Sequence, residues 1–367
     1  MRLTIPQPQL LKTIQTVEHA VNDRSTLPIL ANVLIETNEQ ELILTATDLD
    51  VGIQCRFPLT TPIECGAVAL PARKLTTIIR ELPNEPVTIE AKKNHTATVN
   101  CGPSSFRIPG LPAEDFPVLP PMQQEQGVII SQGALKALVS QTAYAMSMEE
   151  TRFILNGALL TTQKNQLIMV ATDGRRLAIA NAPLAEAPKT ALQAVIPSKT
   201  LRELGRLLQE GDTEEVFIAP LKDNQLTFQF GAVTIVTRLI EGQFPQYDKV
   251  IPAPTKNTLT CDRVTLINAI RRAGLMTTAT SQAVIFELGE NRLVVSKESA
   301  ELGSAREELS VAYAGEPTTI AFNPEFWLDV LKVVDTEQVR IEIGGSDRPA
   351  VIRQPGLIYV VLPMKVT

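Results

Sequence analysis

One stretch is written three times along this chain, and that repetition limits the fold more than any single residue type does. Residues 167–182 (LIMVATDGRRLAIANA) match residues 42–55 (LILTATDLDVGIQC), and residues 293–305 (LVVSKESAELGSA) are a worn third copy. In each copy an apolar run with strand character breaks at a short polar turn, TDLD, TDGR or KESA. A second run of small and apolar residues follows, which is the pattern of a β-hairpin. Asp48 and Asp173 lie 125 residues apart, a regular spacing that calls for further matches in step.

Those matches keep the same order in each third. Pro71-Ala72-Arg73-Lys74 opens an apolar stripe of Leu75, Ile78, Ile79 and Leu82, and Pro197-Ser198-Lys199 opens Leu201, Leu204, Leu207 and Leu208. Pro324-Glu325 opens Phe326, Trp327, Val330 and Leu331. The spacing predicts three helices, each with proline at or just before its first turn, where the missing N–H costs nothing. An earlier helix opens each third: Leu10, Leu11, Ile14 and Val17, then Leu135, Leu138 and Val139 behind a Ser131 cap, then Leu266, Ile267 and Ile270 behind Asp262. Each third closes on a strand-like run, residues 116–120, 244–252 and 359–363. Strands are also expected at residues 29–36 and 153–161, with a hairpin over 225–237.

The reading is therefore three domains, 1–124, 125–253 and 254–367, each with two helices and about eight short strands. That makes an α+β class in which helices pack on one face of an antiparallel sheet. A length of 367 residues and 44% hydrophobic residues suit three modest cores. No stretch reaches the ~20 uninterrupted apolar residues of a membrane span, and the first residues carry no signal-like apolar region. The chain is expected to remain soluble in the cytoplasm, where it is made. Its four cysteines are scattered without a CxxC pair, so neither a zinc site nor a disulfide framework is expected.

Candidate chemistry is sparse. Asp48 and Asp173 are the acids a hydrolase reading would use, but each sits at a hairpin turn, where Asp bonds its own backbone. His19 and His95 are the two histidines, and neither has the neighbours of a triad or a metal site. Gly344-Gly345 falls between strands and reads as a turn, not a phosphate loop. Trp327 lies on a helical apolar stripe, a core position. No catalytic residue, metal or cofactor is expected.

Charge points elsewhere. The six helical segments hold 13 Lys or Arg against 9 Asp or Glu, while the whole chain holds 34 against 40. A relatively basic helical surface on an acidic protein is the imbalance expected of a polyanion-facing wall, although helices also collect Lys and Arg as good formers. At 4% aromatic residues, stacking on bases is not the means of grip. Tandem rigid units meeting head to tail can instead close into a ring. The apolar candidates for the closing ends are Leu82, Phe106 and Ile108 in the first third, and Leu275 and Met276 in the last. A scaffold that binds proteins without DNA is the alternative.

Seven motifs in order extend over essentially the whole chain: Thr26–Leu30 (TLPIL), Ala46–Asp50 (ATDLD), Pro71–Lys74, Leu111–Pro117 (LPAEDFP), Ala171–Ala178 (ATDGRRLA), Glu241–Pro245 (EGQFP) and Tyr359–Met364. Together they resemble the β subunit of bacterial DNA polymerase III, the sliding-clamp family. That resemblance implies a head-to-tail homodimer encircling double-stranded DNA without sequence preference and catalysing nothing. It also implies partners: the replicative polymerase α subunit, a clamp loader, and other clamp-binding polymerases and repair proteins. The positions matching the family's DNA-facing residues are Arg24, Arg73, Arg152 and Lys199. Those matching its partner-peptide cleft are Leu155, Thr172, Gly174, Arg175, Arg176, Leu177, Pro245, Lys249, Val250, Pro349, Val360, Leu362, Pro363 and Met364. Phe153-Ile154 and Glu149 depart from residues found in some relatives, as do Arg175 and Lys249.

Overall fold

The computed structural model describes residues 1–22, 25–59, 64–120, 127–188, 190–211 and 213–365. Arg24, one of the expected DNA-facing residues, lies outside them. Six α-helices occur among the described residues: α1 Gln7–Val17, α2 Ala72–Glu81, α3 Gln132–Thr142, α4 Ser198–Leu207, α5 Arg263–Gly274 and α6 Pro324–Val333. Their starts follow from local chemistry. Pro6 and Pro71 immediately precede α1 and α2, and Pro324 is the first residue of α6. Ser131 Oγ accepts from the Ala134 N–H at 3.3 Å, and Asp262 Oδ1 accepts from the Thr265 N–H at 2.7 Å. None is long and apolar enough to cross a membrane.

The chain forms two compact units. One comprises residues 1–134, 188–190 and 199–239; the other comprises 135–187, 191–198 and 240–367. In the first, an eight-stranded sheet runs in the order Gly66–Pro71, Asn32–Thr37, Glu41–Thr47, Val51–Pro58, Val233–Arg238, Gln225–Phe230, Glu215–Leu221, Val128–Ser131. A second sheet runs Arg2–Pro6, Pro86–Ala91, Thr96–Cys101, Ser104–Pro109, and α1 packs on α2. In the other unit, nine strands run Gln193–Pro197, Gly157–Gln163, Gln166–Thr172, Arg176–Pro183, Leu357–Val361, Ala350–Gln354, Gln338–Ile343, Thr258–Asp262, Ala312–Ala314. Its smaller sheet runs Gly303–Ser310, Arg292–Ser299, Val284–Gly289, Thr318–Phe322, and α5 packs on α6.

Every ladder among the described residues is antiparallel, and one pairing rule joins successive repeats. The second strand of the repeated hairpin pairs with the last strand of the next repeat. Val51–Pro58 takes Val233–Arg238 with Ile53 opposite Ile235, and Arg176–Pro183 takes Leu357–Val361 with Leu177 opposite Val360. Along Glu41–Thr47 the fully buried Leu42, Leu44 and Ala46 alternate in sequence, and the cores are aliphatic. The third repeat adds Trp327, fully buried and stacked on Phe286 with ring centroids 5.8 Å apart.

Several sequence expectations need correction. The third hairpin does not turn at KESA: Arg292–Ser299 continues through it, and the turn falls at residues 300–302. The strand survives there because Lys297 is buried with its ammonium donating to Ser281 Oγ. Residues 116–120 and 244–252 form no strand, as their prolines withhold ladder donors. Residues 28–31 and 150–155 are 3-10 turns, so the strands there begin later, at Asn32 and Gly157. Leu82 and Ile108 are 7% and 3% exposed. They pack into the first repeat's core and offer little apolar surface of their own. Phe106 and Leu275 are exposed and Met276 is half-buried.

Candidate functional site

The repeated hairpin turn is held by its own side chains. Asp173 Oδ1 accepts from the Arg175 and Arg176 N–H groups at 2.8 and 3.0 Å, and Thr172 Oγ1 accepts from the Gly174 N–H at 3.0 Å. The first copy repeats this: Asp48 Oδ1 accepts from the Asp50 and Val51 N–H groups, and Thr47 Oγ1 from the Leu49 N–H. Gly174 (φ +85°) and Leu49 (φ +79°) occupy the same left-handed position, which costs glycine little and leucine more. Both aspartates are thus spent on turn geometry, and a nucleophile reading of either fails on that ground.

Locking the second turn shapes the surface beside it. The Leu362 N–H donates to the Arg175 carbonyl at 2.9 Å, carrying the chain from Leu357–Val361 past the turn. Tyr247–Val250, a 3-10 turn, supplies the opposite wall. Between them lies a cleft of about 200 Å³, lined by Leu155, Thr172, Gly174, Arg175, Arg176, Leu177, Pro245, Gln246, Tyr247, Val250, Val360 and Leu362. Leu177, Ile179, Val351, Val360 and Phe244 form the core beneath it, with Leu155 and Tyr247 packed against them. The surface is nearly all apolar, suited to the hydrophobic side chains of a short peptide.

Ten of the fourteen expected cleft residues come together here. Lys249 is exposed on the 3-10 turn but is absent from the wall, as are Pro349, Pro363 and Met364. Met364 is drawn off because its N–H donates to the Ala321 carbonyl at 2.8 Å. Gln246 and Tyr247 were missed, and the only sequence signal for them is their place between Pro245 and Val250.

Arg176 lines the cleft without presenting its charge to it. Its side chain is 10% exposed, and its guanidinium pairs with Asp173 at 3.0 Å and Asp329 at 2.7 Å. It also donates to the Tyr144 carbonyl and lies 4.4 Å from the Phe326 ring centroid. Burial alone would lower its pKa; the Asp329 hydrogen bond and the facing acidic groups more than offset that, and the pKa is raised. Arg176 is therefore a fixed cation under the cleft floor.

The DNA-facing candidates sit as follows. Arg73 is exposed on α2 and shares a polar hollow of about 420 Å³ with Arg80, Thr76, Thr77, Glu18 and His19. Arg80 lies seven residues along the same helix face. Lys199 pairs with Asp48. Arg152 pairs with Glu149 at 3.1 Å and donates to the Asp173 carbonyl at 2.7 Å. Phe153 is exposed, whereas Ile154 packs toward the cleft core. A larger hollow, about 610 Å³ beside α1, has a polar rim of glutamines, threonines, Lys12 and Arg206. Its size exceeds the cleft's, but polar groups make up about half of its lining, where the cleft is nearly all apolar.

Nothing in these sites assembles catalytic chemistry. Burial pushes Cys55 up to about 11 and Cys261 up to about 12, far from thiolate. Among the described residues no group of three or more His, Cys, Asp or Glu is placed to hold a metal. Three copies of one helix-and-sheet domain carrying a peptide-sized apolar cleft define a binding protein.

Comparison with known proteins gives the family. Residues 1–120, 129–246 and 248–365 match the N-terminal, central and C-terminal domain models of the DNA polymerase III beta subunit. The beta sliding clamp of Pseudomonas putida is 35% identical over the full length of both chains, and that of Staphylococcus aureus is 30% identical over 100% of this chain and 99% of its own. The crystal structure of a sliding clamp from Pseudomonas aeruginosa bound to griselimycin superposes with a TM-score of 0.94 at 34% identity, covering all of both chains. A sliding clamp from Bacillus subtilis gives 0.94 at 29%, also covering both chains entirely. The chain belongs to the DNA polymerase III beta subunit family, the sliding clamps, and its role is that of a non-catalytic processivity factor.

Proposed function

We propose that two copies of this chain close head to tail around duplex DNA, slide along it without reading sequence, and hold the replicative polymerase and other partners by short peptides seated in the cleft. The observation that carries the ring is the pairing rule between repeats. It is satisfied twice within the chain and leaves two strands over: Gly303–Ser310, the second strand of the third hairpin, and Ser104–Pro109, the last strand of the first repeat. Each is the edge of its sheet. Extending the rule pairs one copy's Gly303–Ser310 with its partner's Ser104–Pro109, a head-to-tail contact that forms a ring where its rotation closes. Phe106 on the one edge and Leu275 beside the other, just past the end of a helix packed against Gly303–Ser310, supply the exposed apolar surface. Unpaired edges of this length otherwise invite aggregation, so a partner strand relieves a liability.

Arg73, Arg152 and Lys199 are proposed to face DNA, with Arg80 added and Arg24 kept from the family resemblance. Ion pairing of Lys199 and Arg152 within the chain weakens their hold on phosphate, which suits a protein retained by linkage rather than affinity.

Leu275→Lys combined with Phe106→Lys is expected to give monomers in light scattering at micromolar concentration. Lysine at the C-terminal end of α5 complements the helix dipole, so an unchanged circular dichroism spectrum should accompany the loss. A mass of two chains in the double variant would overturn the proposed interface.

A further inference from the structure

We infer that Arg175 selects partner peptides that carry an acidic residue beside their apolar anchors. The inference rests on the peptide reading of the cleft and adds the charge of the occupant. Arg175 stands on the cleft wall with its side chain exposed. Its backbone is fixed at both ends, the N–H donating to Asp173 Oδ1 at 2.8 Å and the carbonyl accepting from Leu362 at 2.9 Å. Among the described residues its guanidinium has neither an ion-pair partner nor a hydrogen-bond acceptor.

The next residue is arranged the opposite way. Arg176 takes both Asp173 Oδ2 and Asp329, so the carboxylate nearest to Arg175 in sequence is already paired. Asp248 and Lys249 are exposed on the facing turn with opposite charges, which leaves Arg175 as the unbalanced charge of the wall. The remaining surface is apolar: Leu155, Leu177, Pro245, Val250, Val360 and Leu362. A peptide lying on those side chains partly strips water from the guanidinium. A neutral peptide then leaves donors without acceptors, whereas a carboxylate meets them with charge-assisted hydrogen bonds in a planar fork. The result is specificity by difference, with a penalty for the neutral peptide as well as a gain for the acidic one.

The test is titration calorimetry on the full chain and on Arg175→Gln, with acetylated and amidated Gln-Xaa-Xaa-Leu-Phe pentapeptides in which both Xaa residues are Asp or both are Asn. The parent is expected to bind the acidic peptide about fivefold more tightly near physiological salt. Raising salt to ~1 M should bring the ratio toward one. In Arg175→Gln the ratio should fall to about one, through weaker binding of the acidic peptide. Equal affinity of the parent for both peptides, or an unchanged ratio in the variant, overturns the selection by Arg175 while the cleft reading stands. Binding of neither peptide by the parent overturns both.

Discussion

An Arg176→Ala chain is expected to lose about 3 kcal/mol of stability in the unit that contains the cleft. Removing one partner of a buried ion pair typically costs ~3–5 kcal/mol, because the remaining charge stays desolvated. Here the acids are less enclosed, Asp173 at 17% and Asp329 at 27% exposed, and Asp173 keeps its two backbone N–H donors. Those facts pull the figure down. Loss of the Phe326 contact and of the donor to the Tyr144 carbonyl pulls it back by roughly 1–2 kcal/mol. Trp327, the single tryptophan, sits fully buried on the same helix as Asp329 and reports this unit's unfolding in denaturant. Arg56 provides the contrast. Its pair with Glu41 has a similar distance, 2.7 Å, but Arg56 is 52% exposed, so Arg56→Ala should shift stability by no more than about 0.5 kcal/mol. A shift below ~1 kcal/mol for Arg176→Ala would contradict a structural role for this cation.

Val250→Ser combined with Leu362→Ser should weaken partner-peptide binding about thirtyfold without unfolding the chain. Both side chains are exposed, at 58% and 43%, so the folded core gives up little. Each is an apolar wall of the cleft, and covering one with peptide is worth up to ~1.5–3 kcal/mol. Two partly covered side chains at about half that value give the thirtyfold figure. Calorimetry with the neutral pentapeptide measures it, and an affinity within threefold of the parent would place the peptide elsewhere.

What the sequence made legible was local chemistry. The TDLD and TDGR turns could be read because an aspartate two or three residues ahead of its N–H partners is a short-range device, and the helix starts followed from Pro, Ser131 and Asp262. The third hairpin was misread for the same reason. Lys297 breaks the apolar pattern, and only the fold shows that Ser281 satisfies it inside the strand. The cleft was reached through family resemblance, because the contact of Leu177 with Val360 spans 183 residues and leaves no periodic trace. Leu82 and Ile108 are buried within the chain, since apolar character alone does not separate core from exposed surface. The rule pairing one repeat's hairpin with the next repeat's last strand was invisible until the ladders were known, and it carries the ring.

The most direct measurement is retention on DNA of two topologies. The chain is placed by a clamp loader on a nicked circle, freed of loader, and its dissociation followed before and after the circle is cut once. Topological linkage predicts a long residence on the circle that collapses when sliding can run off a cut end, with little dependence on sequence. Equal dissociation rates from the intact circle and the linear product would contradict it.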